Sequence, residues 1–190
     1  MISFSVGETR LRIYFSFLLF NAVVFTFSSQ ELLFQFYTAC VLHEAGHILS
    51  AAVIGTHIKS ISFSGSGIRI LTDKRLCSAG KSALVILSGP AVNIILFAVL
   101  RELDCGGSFP MLNLAAGLYN LLPYRQLDGG ALIDNYIMGS VHERTARAVL
   151  VFVKAAISVA LAYLTFIKGT EILPLFGASL LLFISDILMY

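Results

Sequence analysis

The stretch VLHEAGHILSAAVIG, residues 41–55, decides the reading of this chain. It is apolar or small throughout except at His43, Glu44, His47 and Ser50. His43 and His47 are four apart, so on a helix both imidazoles leave one face, one turn from each other. Two neutral imidazoles so placed can fill two corners of a tetrahedral zinc site. Glu44, beside the first histidine, can act as general base toward a water. The chemistry implied is peptide hydrolysis without a covalent intermediate. The bland alternative, a chance pattern in a histidine-bearing helix, has to explain three ionisable groups within five positions of an apolar run. Such groups are costly inside a bilayer and mark functional sites there.

Composition agrees with a lipid setting. Of 190 residues, 57% are hydrophobic and 13% charged, with mean hydropathy +0.87. Soluble domains carry about 25% charged residues, so an ordinary soluble domain is excluded. A net charge of +2 is too small to indicate a nucleic-acid partner; the lipid bilayer is the expected one. Cys40, Cys77 and Cys105 contain no CxxC pair, which excludes a thiolate zinc site and a disulfide framework.

Crossing a hydrocarbon core about 30 Å thick takes about 20 helical residues. Spans are expected at 11–28, 31–55, 83–100, 109–122, 146–167 and 172–190, the fourth being short and ended by Pro123. The first, preceded by Arg10, has no small-residue cleavage site and reads as a retained span rather than a signal peptide. Between the second and third spans, IKSISF (58–63) and IRIL (68–71) flank SGSG (64–67), the pattern of a β-hairpin over 58–71. The expected fold class is an all-α polytopic membrane protein with about six transmembrane helices and this one small hairpin, as a single domain over 1–190.

Charge orients it. An inside N-terminus puts Arg10, Arg12, Lys59, Arg69, Lys74, Arg75, Lys81, Arg125, Arg144 and Arg147 on the cytoplasmic side. Only Arg101 and Lys168 are left outside. That asymmetry predicts cytoplasmic termini.

A catalytic zinc site usually has three protein ligands. The pattern HExxHxxGxxH fails at Val53, Glu102 lies at the opposite face, and His57 and His142 read as loop residues. Asp73, in the hairpin loop, and Asp128, in NLLPYRQLDGG (120–130), remain. Counting back from Gly55, His47 and His43 lie about 12 and 18 Å inside the inner boundary. A helix over 109–122 descends only about 21 Å before Pro123 stops it, which leaves Asp128 near the histidine depth. Its bland role is to cap a helix over 130–137.

HEAGH, SGPAVN (88–93) and NLLPYRQLDGG together resemble the site-2 protease family of intramembrane zinc proteases, most nearly its compact bacterial sporulation sigma-factor-processing branch. The resemblance implies one zinc per chain held by His43, His47 and Asp128, with Glu44 as catalytic base. Gly89, Pro90 and Asn93 are implied to shape the cleft, and Asn120 to lie near the active centre. A membrane-associated sheet at 58–71, a transmembrane protein as substrate and a regulatory membrane protein as partner are further expectations, in a bacterial cytoplasmic membrane. Neither a PDZ nor a CBS domain is expected. Gln126 departs from the sporulation branch, which has a proline there.

Asn93 alternatively bonds only a neighbouring helix, and Lys154 is expected to snorkel to the interface. Cys40 and Asn21 read as ordinary span residues. Two other functions compete: a metal transporter, which would need ligating residues along the outer half, and an inactive protease scaffold, which the full set His43, Glu44, His47 and Asp128 disfavours.

Overall fold

A computed structural model describes residues 1–7, 9–27, 29–56, 58–64, 67–72, 78–137, 142–168, 180, 183 and 184. The chain divides into two compact units, Met1–Leu122 and Pro123–Tyr190.

The first unit begins with two strands rather than a span. Thr9-Arg10-Leu11-Arg12-Ile13 alternates polar and apolar residues, the period of a strand. It forms β2 (Thr9–Ile13), antiparallel to β1 (Ile2–Val6), with Gly7 at φ 59° opening the turn. The expected first span at 11–28 is therefore corrected. Only α1, Phe15–Phe27, is helical there, and its 13 residues rise about 20 Å, short of a bilayer core of about 30 Å. The expected hairpin is present as β3 (Ile58–Ser64) and β4 (Gly67–Thr72). It is half of a four-stranded sheet in the order β1-β2-β3-β4, so the fold is mainly helical rather than all-α.

β2 and β3 run parallel, with Leu11 opposite Ile61 and Ile13 opposite Phe63. Parallel neighbours need a crossover, which here is α1 followed by α2 (Gln30–Ile54). The chain thus leaves the sheet and returns to it, and the N-terminal hairpin lies on the same side as β3–β4. Phe17 meets Phe63 edge to face at 5.5 Å, and the Tyr14 N–H donates to the Phe63 carbonyl at 2.9 Å. Phe25 stacks on Tyr37 at 5.9 Å, and the Tyr37 hydroxyl donates to the Asn21 side-chain oxygen, joining α1 to α2.

Helix α2 is bounded by its own sequence. The Ser29 hydroxyl accepts from Leu32 N–H at 3.3 Å. Gly55 ends the helix in the left-handed region at φ 74°, with Gly55 N–H donating to Ala52 and Thr56 N–H to Ala51. That is the paired-bond helix stop for which a residue without Cβ is suited. Helix α3 (Ala79–Glu102) starts at Ser78, whose hydroxyl accepts from Lys81 N–H. Pro90 lies inside α3 and deletes the amide that would bond the Ile86 carbonyl. Helix α4 (Phe109–Asn120) has 12 residues and stops before Pro123, as its sequence predicts.

Small residues let α2, α3 and α4 approach closely, the device that packs helices where lipid removes the hydrophobic drive. A Cβ on Gly46 would lie 2.8 Å from the Ser88 carbonyl oxygen, and one on Gly117 would lie 3.1 Å from that of Pro90. Gly46→Ala is expected to destabilise the unit by about 1–3 kcal/mol, because backbone must move to admit the methyl. Thermal unfolding in detergent checks this; an unchanged midpoint would contradict the close approach.

The second unit contains α5 (Asp128–Ile137) and α6 (Glu143–Lys168). Asp134 of α5 pairs with Arg125 at 3.3 Å and with Arg147 of α6 at 3.9 Å. Tyr124 is fully buried, its hydroxyl 3.5 Å from that of Ser158. Lys154, expected to snorkel, is only 3% exposed; this is a correction, since α6 turns it into protein. Among the described residues, three helices are long and apolar enough to cross a membrane: Gln30–Ile54, Ala79–Glu102 and Glu143–Leu164. The expected span at 172–190 lies outside the described residues apart from 180, 183 and 184.

Candidate metal centre

His43 and His47 are buried on the face of α2 that meets α3. Their rings lie 4.9 Å apart, centre to centre. Each is anchored through Nδ1. His43 Nδ1–H donates to the Asn93 side-chain oxygen at 2.6 Å, and His47 Nδ1–H donates to the Val85 carbonyl at 2.7 Å. The Val85 carbonyl belongs to the turn of α3 just before Pro90 and also accepts from the Ser88 hydroxyl at 2.7 Å.

Those two bonds fix the tautomers. An amide oxygen and a peptide carbonyl can only accept, so each ring carries its proton on Nδ1 and leaves Nε2 as the nitrogen able to ligate. The two Nε2 atoms face each other at 3.2 Å. Two lone pairs so placed repel, and a cation between them removes the conflict. A tetrahedral zinc ion with Zn–N bonds of about 2.0–2.1 Å holds its nitrogens about 3.3 Å apart. The donor set therefore fits the ion, with Nδ1 bonds of the kind that orient metal-ligating histidines.

Gly89 makes room for this pair. A Cβ there would collide with His47 Nε2 and lie 2.6 Å from His47 Cε1 and 2.8 Å from His43 Nε2. The role is more specific than the cleft-shaping expected of Gly89. Pro90 and Asn93 are fully buried, and Asn93 does more than bridge helices. Its Nδ2 donates to the Ala39 carbonyl at 3.2 Å and to the Asn113 side-chain oxygen at 2.9 Å, leaving its own oxygen for His43. Asn113 went unnoticed in the sequence; a polar side chain in the middle of the apolar α4 was the available signal. Glu44 is half-buried on α2 beside His43. Asn120, the last residue of α4, donates its amide to Ala116 of its own helix at 3.0 Å.

Asp128 is half-buried and opens α5. The loop before it is tight: Leu127 N–H donates to the Tyr124 carbonyl at 2.9 Å, and a Cβ on Gly130 would strike that carbonyl and lie 2.7 Å from Arg125 N. Asp128 is thus the first residue of its helix, the place its capping role requires. Asp73 and His57 lie outside the described residues.

The fold is shared with a solved protease. The chain superposes on the site-2 protease from Methanocaldococcus jannaschii with a TM-score of 0.68 and 19% identity, over 97% of this chain and 94% of that one. A protein of Synechocystis sp., sll0528, provisionally described as a zinc metalloprotease, is 30% identical over 112 residues. The match covers 53% of this chain and 30% of that protein, so the chain spans under a third of that relative's length. No family model matches the chain. The two likenesses support the site-2 protease family.

Proposed function

We propose that this chain is an intramembrane zinc endopeptidase that hydrolyses a peptide bond in or near a transmembrane segment of a membrane-bound substrate. Two imidazole Nε2 atoms facing each other at 3.2 Å on a 25-residue apolar helix support this reading. Zinc in the Synechocystis relative's description supports the choice of ion. When bound, zinc supplies a Lewis acid that polarises the scissile carbonyl and acidifies water.

The protein's own residues do the rest. His43 and His47 offer two neutral nitrogen ligands whose orientation Asn93 and Val85 hold. Asp128 would supply the third ligand that the resemblance implies, an anionic oxygen offsetting part of the ion's charge. Glu44 takes the proton of the attacking water and returns it to the leaving amine nitrogen. The apolar walls of α2 and α3 exclude bulk water and strengthen each of these electrostatic interactions.

The protein sits in the bacterial cytoplasmic membrane as a multi-pass protein with both termini in the cytoplasm, and its site opens to that side. A single-span membrane protein is the substrate, and cleavage frees a cytoplasmic fragment. Co-expression with candidate single-span substrates tests this. The wild type is expected to yield a shorter soluble product that the Glu44→Gln variant does not; cleavage persisting in that variant would overturn the assignment. Cysteine labelling tests the orientation, since access to residues 43–47 from outside alone would contradict it.

A further inference from the structure

We propose that Asn113 is a positioning residue for the metal centre: from α4 it sets the orientation of the Asn93 amide and, through it, the tautomer of His43. The inference rests on the zinc-protease reading of the site and adds to it a residue that touches neither ion nor substrate.

The hydrogen bonds run in one direction. The Asn113 amide nitrogen donates to the Phe109 carbonyl of its own helix at 2.9 Å, which turns the Asn113 oxygen away from α4. That oxygen accepts from Asn93 Nδ2 at 2.9 Å. With Nδ2 committed there and to the Ala39 carbonyl at 3.2 Å, Asn93 can turn only its oxygen toward His43. The oxygen accepts from His43 Nδ1–H at 2.6 Å, and the lone pair is left on Nε2.

A side-chain amide can flip, exchanging donor for acceptor at little steric cost. A flipped Asn93 would point N–H groups at His43 Nδ1, move the imidazole proton to Nε2 and block the ligand position. The Asn113 oxygen opposes that flip, because a flipped Asn93 would set its own oxygen against it. Asn93 and Asn113 are both 0% exposed, so water cannot substitute for either partner. Bridging α4 to α3 to α2, the relay makes the metal site depend on a helix that supplies no ligand.

Zinc affinity, measured by chelator competition on detergent-purified full-length protein, provides the test. Asn113→Leu keeps the volume and removes the acceptor. It is expected to weaken zinc about tenfold, at the low end of what loss of an outer-shell partner costs. Asn113→Asp, neutral at this depth, keeps a carbonyl for Asn93 and an O–H for Phe109, and should stay within about threefold of wild type. Asn93→Ala should weaken zinc by about 10–100-fold, and adding Asn113→Leu to it should cost nothing more. In the zinc-free protein, 15N-histidine spectra should show an Nδ1–H imidazole in wild type that Asn113→Leu shifts toward Nε2–H. Should Asn113→Leu not purify, Asn113→Ala serves the same comparison. Wild-type affinity in Asn113→Leu, an equal loss in Asn113→Asp, or additive losses in the double variant would each overturn the relay. A wild type that binds zinc indifferently to Asn113 sinks only this inference, whereas a wild type that binds none sinks the zinc reading with it.

Discussion

Glu44→Gln is expected to cut peptide hydrolysis by about 10²–10⁴-fold, the usual contribution of a positioned general base, with zinc still bound. The substitution keeps the volume and the α2 backbone and removes only the carboxylate. His43 and His47 keep their Nδ1 bonds to Asn93 and Val85, neither of which involves Glu44. Metal content and cleavage rate measured on one preparation separate the two roles. Loss of zinc along with activity would mean that Glu44 is structural or a ligand, and cleavage at the wild-type rate would remove it from the mechanism.

Gly89→Ala is expected to produce a large loss, this time in metal binding. The added methyl would fall on His47 Nε2 and within 2.8 Å of His43 Nε2, the two atoms proposed to hold the ion. Neither ring can retreat without giving up an anchoring bond of 2.6 or 2.7 Å. Losing an outer-shell bond that orients a ligand costs about 10–100-fold in metal affinity, so zinc affinity should fall by about that factor. Gly80→Ala is the control on the same helix, because its Cβ would meet nothing within 4 Å. Zinc titration of both variants checks the prediction. Equal affinities would show that the rings do not lie against Gly89.

The facing of His43 and His47 was legible in the sequence because both imidazoles sit on one helix at a spacing that helical geometry fixes. Gly55 as the end of α2 and Pro123 as the limit of α4 were legible for the same local reason. The N-terminal strands were not. Arg10 and Arg12 looked like the charged flank of a span, and residues 10–13 join the sheet by pairing with residues 60–63, far along the chain, as well as with residues 2–5. Lys154 was misjudged because a long side chain can reach an interface or fold into protein, and only the packing of α6 decides between them. Asn113 shows the same limit in a polar group. Its position marked it as unusual, but its partner Asn93 comes from another helix, and no local pattern pairs two amides 20 residues apart.

The central claim is that one zinc ion is held by His43, His47 and Asp128, and zinc K-edge X-ray absorption on the purified protein in bilayer nanodiscs tests it most directly. One zinc per chain is expected, with two imidazole nitrogens and oxygen ligands all at about 2.0–2.2 Å, and a changed oxygen shell with weaker binding in Asp128→Ala. A spectrum without two imidazoles, or an Asp128→Ala spectrum and affinity identical to wild type, would contradict it.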